Sequence, residues 1–460
     1  MPDAPREVIV VGAGIAGLTA AWALMRMGVD VLLLEEKRRV GGVIVTDAVD
    51  GYVIDGGPDS LLVQKPAGLE LCGELGISDQ LMHTKPPRTA FVVRDRRLVP
   101  LPEGSYLGLP TRVSPFVTTP LFSWPGKLRM AMEPFIATKS SDEDESIGGF
   151  IRRRLGSEAC EYLAEPLLAG IHAGDVDRLS VNELFPRLVE AERSGSVLRA
   201  LTRMRPSSNS QGAFVSFPKG MQQMTDALER ALTPSRIRCQ EAVVGIAGGG
   251  PFVIELASGE RLEARAIVVA TPAWVTAEIL APLDAALAKL CSSIEYASSA
   301  TAVFAVRRDQ VRHPLNGTGY VVPLTERRAL MAATWVTSKW PHRAPAEHVL
   351  LRGFVGGVRD PSILDQADDR LATAAFADLA SLLGIAGDPI LTRVYRWPRA
   401  NAQYNVGHAR TIRAIDARLS HLPGVFLTGS AYRGTGIPDC VADARATAAQ
   451  AARGVRDKIA

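Results

Sequence analysis

The chain predicts an α/β domain of the Rossmann type, combined with an α+β domain and a helical domain. Three observations carry that expectation. A short apolar strand at residues 8–11 runs into Gly12-Ala13-Gly14-Ile15-Ala16-Gly17, and a helix follows through Leu18, Ala20, Ala21, Leu24 and Met25. A second apolar run over 29–34 ends on Glu35, 18 residues beyond Gly17. Near the C-terminal end another strand, 424–429, leads through a glycine-rich turn into an alanine-rich helix over 441–455.

Each glycine of the first turn has a separate task. Gly12 permits the tight turn, Gly14 leaves room for a pyrophosphate, and Gly17 lets helix and strand approach closely. The first N–H groups of the helix lack internal partners and can meet phosphate oxygens. Glu35 is placed to accept hydrogen bonds from a ribose and would repel the 2′-phosphate of NADP. In Glu36-Lys37-Arg38-Arg39-Val40-Gly41-Gly42 the glycine pair lets backbone pass near a cofactor. Glu36 and Arg39 join the expected cofactor set, Arg39 through a phosphate; Lys37 and Arg38 read equally as a solvated charge run. Gly56-Gly57-Pro58-Asp59-Ser60 is suited to line a flavin. Together these segments point to FAD rather than to a passing NAD.

The nucleotide unit is incomplete in its first stretch, and the chain returns to it. Strand-like segments occur at 236–238, at 242–246 with Val243 expected beside the cofactor, at 252–256, and at 266–270 before Thr271-Pro272. The intervening sequence differs. From residue 85 to 130, basic residues outnumber acidic ones by eight to two, with prolines and aromatics interleaved. Helices are expected at 146–155, 158–168 and 184–201, with the acidic run 141–145 as a solvated turn or cap. Apolar segments at 301–306, 319–322, 329–335 and 349–355 predict a sheet. The resulting division is 1–84, 209–272 and 406–460 for the FAD-binding domain, 85–105 and 273–405 for the substrate domain, and 106–208 for the helical domain.

Composition narrows the classes. A chain of 460 residues, 47% hydrophobic, suits two or three domains. A formal charge of +3 with no nucleic-acid-binding motif argues against a nucleic-acid partner. The five cysteines are scattered without metal-ligand spacing, so free thiols and no metal are expected. With a polar start and no uncharged apolar run of membrane-spanning length, the expected location is cytoplasmic or peripheral on the cytoplasmic face of the inner membrane. Basic residues beside aromatics over roughly 106–135 would hold anionic lipid headgroups; a soluble basic surface over a cavity mouth is the alternative.

With these motifs in place, the chain resembles the protoporphyrinogen oxidase family, the oxygen-dependent porphyrinogen oxidases of haem synthesis, within the amine-oxidase-like flavoproteins. The resemblance covers nearly the whole chain. It rests on the FAD elements above, on residues 166–175 with Leu179-Ser180 and Phe185-Pro186, and on Arg396-Trp397-Pro398 with Gln403-Tyr404-Asn405-Val406-Gly407-His408. Phe217-Pro218-Lys219-Gly220-Met221 and the closing run from Gly429-Ser430 through Thr435-Gly436-Ile437 to Cys440 complete it. Pro438 stands where the family has Asn. The resemblance implies a substrate cavity lined by Gly170, His172, Thr318, Val321 and Phe354, with Arg88 anchoring a carboxylate. It implies Ser430, Thr435, Gly436 and Ile437 against the flavin. No protein acid or base is assigned.

The implied activity is six-electron oxidation of protoporphyrinogen IX to protoporphyrin IX, with oxygen reduced to hydrogen peroxide. Coproporphyrinogen III is the near alternative, since Thr318 and His172 replace larger aromatics. Flavin-dependent amine oxidation and a noncatalytic FAD protein are more distant ones. The expected partners are the tetrapyrrole and oxygen, with an anionic membrane, a second copy of the chain and a chelatase receiving product as further expectations.

Overall fold

The computed structural model describes residues 5–105, 109, 112–141, 143–203 and 212–456. Its first sheet has Arg6–Val11 at the centre, flanked in parallel by Val31–Glu35 and Arg261–Val269. Ile237–Cys239 extends it beyond Val31–Glu35. Arg261–Val269 has two roles along its length. Its first half pairs antiparallel with Phe252–Leu256, which pairs with Val243–Gly248; its second half pairs in parallel with Val425–Leu427.

The central strands are buried and apolar because both sheet faces are covered. On one face, Ile15–Arg26 packs with the C-terminal helix Ile437–Arg456 through Leu18, Ala20, Ala444 and Ala448. Ala273–Leu280, Ala285–Ser292 and His408–Leu419 cover the other face. Residues 273–295, which the expected division gives to the substrate domain, thus pack on the first sheet through two helices.

The second sheet runs Leu391–Ala402, Tyr296–Arg307, His348–Gly356, Ala332–Trp335, Gly319–Val321, Ala90–Arg94, Arg97–Pro100. Leu391–Ala402 was not anticipated as a strand because Pro398 interrupts the pattern. It is an edge strand, where a missing N–H breaks no ladder. One face of this sheet carries Asp368–Leu383; the other receives Tyr52 and Ile54 of a hairpin from the first domain.

The helical domain packs against the second sheet at Val92, Val99 and Val321. Ser146 caps Ile147–Leu155 by accepting from Gly149 N–H at 3.1 Å. Residues 157–172 form one helical stretch with a π-helical turn at Cys160–Ala164, so the segment reaches four residues past the expected end at 168. The expected single helix at 184–201 divides into Val181–Leu184, Pro186–Arg193 and Val197–Arg203. Pro186 can only begin a helix, and Gly195 turns the chain with a positive φ of 104°. The acidic run is not merely a solvated turn. Asp144 accepts from Ser180 Oγ at 2.7 Å and from Gly407 N–H at 3.1 Å, and Glu145 pairs with Arg153.

Candidate active site

The first glycine turn is shaped by backbone approach. Gly12 has a φ of +97°, and a Cβ on Gly17 would lie 1.8 Å from the Gly12 carbonyl oxygen. A Cβ on Gly14 would meet nothing within 4 Å, so this residue opens onto space above the helix N-terminus. No side chain caps that terminus. Glu35 Oε2 accepts from Ala13 N–H at 2.7 Å, and Oε1 accepts from Lys37 N–H at 2.9 Å. The carboxylate thus stands at the turn with lone pairs left for a ribose. Gly41 N–H donates to Ala13 O at 2.7 Å, bringing the Gly41-Gly42 loop against the same opening. Glu241 N–H donates to Glu35 O at 2.9 Å, placing the Val243 strand beside it.

Of two further expected cofactor residues, one has protein partners and the other is exposed. Arg39 donates to the carbonyls of Val40, Gly42 and Ile44 at 2.8–3.1 Å, so it staples the glycine loop instead of reaching outward to phosphate. Glu36 is exposed.

The Gly56–Ser60 segment is wedged between the two domains. A Cβ on Gly56 would strike the Tyr395 ring at 2.5 Å, and Trp397 Nε1 donates to Gly56 O at 3.1 Å. Arg352 donates to Gly57 O. Asp59 forms an ion pair with Lys339 at 2.8 Å and accepts from Trp340 Nε1 at 3.3 Å and Ser60 Oγ at 2.9 Å. Burial pushes the Asp59 carboxyl up, but the Lys339 ammonium and Arg352 guanidinium outweigh it and hold Asp59 well below the usual carboxylate range. Asp59 therefore fastens the loop to the second sheet, while Gly57 and Pro58 remain half-buried along the opening.

The two interior motifs meet each other, and the second also holds the closing loop. Gln403 Nε2 donates to His172 O at 3.0 Å, and Ser180 N–H donates to Tyr404 O at 2.8 Å. Tyr404 OH donates to Ser430 O at 3.0 Å and accepts from Gly434 N–H at 2.8 Å. Its ring stacks on His408 with centroids 3.9 Å apart. One tyrosine thus sets the path of the loop that carries Ser430, Thr435 and Gly436. Ile437 begins the last helix, and Asp439 reaches back to Gly436 N–H at 3.3 Å. Pro438 occupies the first turn, where its missing N–H costs no hydrogen bond.

The expected substrate residues fall into two groups. A Cβ on Gly170 would lie 3.1 Å from Ala332 Cβ and 3.8 Å from Val321 Cγ1, so the end of Glu165–His172 crosses the second sheet there. Phe354 packs with Ala169, Ala173 and Met331 beside that crossing. Arg88 instead lies near Thr318: Arg88 Nε donates to Thr84 Oγ1 at 2.9 Å, and Thr318 N–H donates to Thr89 O at 2.9 Å. His172 is half-buried, and burial together with the Lys65 ammonium pushes its imidazole down to about 4.

A model of flavin containing amine oxidoreductases matches residues 15–452. The chain belongs to that family. Coproporphyrinogen III oxidase of Bacillus subtilis (strain 168) is 34% identical over 98% of this chain and 99% of the relative. The chloroplastic protoporphyrinogen oxidase of Nicotiana tabacum is 29% identical over 98% of this chain and 86% of the relative. A solved structure from Exiguobacterium sp. 255-15 superposes with a TM-score of 0.87 at 30% identity, covering 97% of this chain and 98% of that one.

The cofactor of this flavoprotein is FAD, and the residues present fit it. The uncapped helix and open Gly14 suit a pyrophosphate, and Glu35 suits the ribose. Val43, an apolar side chain beside Gly42, is 45% exposed. Pattern reading did not assign roles to Lys339, Arg352 or Tyr404. Tyr404 lay within a quoted motif; Lys339 pairs with a residue 280 positions away, a separation that leaves no local signal.

Proposed function

We propose that this flavoprotein oxidises a porphyrinogen in haem synthesis, with molecular oxygen as the terminal oxidant, and that the substrate is coproporphyrinogen III. The observation that carries the reading is the near-complete, 34% identical match to the Bacillus subtilis enzyme. The half-buried apolar side chains of Val321 and Phe354 suit a tetrapyrrole, and Arg88 suits one of its carboxylates. Protoporphyrinogen IX is the second reading, favoured by the tobacco relative.

Bound FAD supplies acceptance of a hydride equivalent from a saturated bridge of the macrocycle. The protein holds the macrocycle in place and keeps water from the reacting bridge. Three two-electron steps convert the porphyrinogen to the porphyrin, each consuming one oxygen molecule and releasing one hydrogen peroxide. Aerobic turnover of the two porphyrinogens, followed by porphyrin fluorescence and peroxide together, tests the assignment. Preferred use of coproporphyrinogen supports it. Failure with both substrates by FAD-loaded protein would move another flavin oxidation to the front. In Arg88→Ala, FAD stays bound and KM for the porphyrinogen rises if Arg88 holds a carboxylate; unchanged KM rejects that role.

Peripheral membrane attachment is a further part of the proposal. No helix among the described residues is long and apolar enough to cross a membrane. Trp124, Leu128, Met132 and Phe135 are 69%, 65%, 48% and 82% exposed. This apolar row lies in the expected 106–135 region, of which 106–108 and 110–111 fall outside the described residues. Co-sedimentation with anionic vesicles at low salt supports attachment, and its absence rejects it.

A further inference from the structure

Five charged side chains converge where the Gly56–Ser60 segment meets the second sheet, none more than 17% exposed. Asp55 pairs with Arg343 at 3.0 Å, and Asp59 pairs with Lys339 at 2.8 Å. Arg352 is the fifth. The Asp59 oxygen nearest to it lies 3.9 Å away and already accepts from Lys339. Arg352 Nε is buried with no hydrogen-bond partner among the described residues. Three cations against two carboxylates leave one positive charge, and a guanidinium is not deprotonated in proteins. The cavity lined by Asp55, Asp59 and Arg352 measures about 10 Å³, room for about one water, so solvent screens this charge weakly.

That charge touches backbone that leads out of the cofactor turn. Arg352 donates to Gly57 O. A Cβ on Gly57 would lie 1.8 Å from Val43 O, and one on Gly42 would lie 3.3 Å from Gly14 Cα. Gly14, Gly42, Val43 and Gly57 are therefore successive contacts in one wall that runs from the pyrophosphate turn to the second sheet. The same guanidinium stands 4.9 Å from the centre of the Phe354 ring.

Acceptance of a hydride adds one negative charge to a flavin ring until a proton follows. A fixed cation nearby stabilises that state over the neutral, oxidised one, and does so more strongly where water is excluded. We propose that the unbalanced guanidinium of Arg352 raises the reduction potential of FAD bound along this wall and so favours hydride acceptance. Lys339 and Arg343 do not share the role, because each has a carboxylate within 3.0 Å. The inference rests on the FAD cofactor and holds for whichever substrate the flavin oxidises.

The midpoint potential of FAD-loaded protein, read at neutral pH by stepwise reduction against a redox dye, tests this without turnover. Arg352→Gln should lower the two-electron potential by about 30 mV, equivalent to a tenfold shift toward oxidised flavin. Arg352→Lys keeps the charge and should stay closer to wild type than the Gln variant. Asp59→Asn removes a negative charge instead and should raise the potential. A loosened loop would move both neutral variants in one direction, so opposite signs mark the electric field. An unchanged or raised potential in Arg352→Gln, a Lys variant as low as Gln, or shifts of one sign in Arg352→Gln and Asp59→Asn overturns the proposal. If Arg352→Gln releases FAD, Asp59→Asn decides alone: a raised potential supports the proposal, and an unchanged or lowered one overturns it.

Discussion

At the cofactor end, contacts are made chiefly by backbone within a short stretch of sequence: Gly12 against Gly17, Ala13 against Glu35, Gly41 against Ala13. At the junction with the substrate side, they are made by side chains from distant segments: Asp59 with Lys339, Gln403 with the His172 carbonyl, Tyr404 with the closing loop. The first kind of site depends on residues being small enough; the second depends on partners being brought together. A single added methyl can therefore damage the cofactor end, whereas the substrate side should respond to loss of one polar atom.

The largest expected effect separates cofactor binding from folding. In Gly14→Val the new side chain points into open space, and the native φ of −68° suits any residue. The protein should fold with unchanged far-UV circular dichroism yet lose nearly all bound flavin. Full flavin occupancy would break the assignment of the turn.

Second in size is Glu133→Ala in the helical domain. Glu133 and Arg154 are both fully buried, and the carboxylate also accepts from Val197 N–H at 2.9 Å and Ser196 Oγ at 2.6 Å. Removing it leaves the buried guanidinium with only Glu192, at 3.7 Å, as a counter-charge and should cost about 3–5 kcal/mol in denaturant unfolding. A loss below about 1 kcal/mol would show that the pair is not load-sharing in solution.

Tyr404→Phe sharpens the contrast on a smaller scale. It deletes one hydroxyl that joins Ser430 O and Gly434 N–H, with an expected cost of about 1–3 kcal/mol. The flavin absorption band should shift as the loop relaxes; unchanged stability and spectrum would remove Tyr404 from the loop's support.

The last expected effect is a pH dependence at Asp59. Its folded-state pKa is depressed, so its contribution is present above the unfolded value of about 4 and is lost as pH falls through the folded value. Wild-type stability should therefore decline below about pH 4, and Asp59→Asn should flatten that decline. Parallel acid profiles for the two proteins would reject the linkage.

Legibility followed the same division. The strand, glycine turn and helix at residues 6–26 could be read because each depends on neighbours a few positions away. For Arg39, sequence shows a cation near a glycine loop but not which carbonyls the loop turns toward it. Asp59 likewise reads as a loop acid until the second sheet delivers Lys339 and Arg352. The edge strand at Leu391–Ala402 was hidden because a proline is acceptable there only if no neighbour needs its N–H, which depends on sheet order.

Sequence alone determined the dinucleotide turn, the acid that follows it, and the returns of chain that complete a sheet covered on both faces. Those are local consequences of glycine sterics, helix-end donors and apolar periodicity. Tertiary structure decided that Gln403 holds the His172 carbonyl while its neighbour Tyr404 holds the closing loop at Ser430 and Gly434. The physical reason is that side-chain pairing and burial belong to positions in space, and these residues are adjacent only after the two sheets and the helical domain have packed.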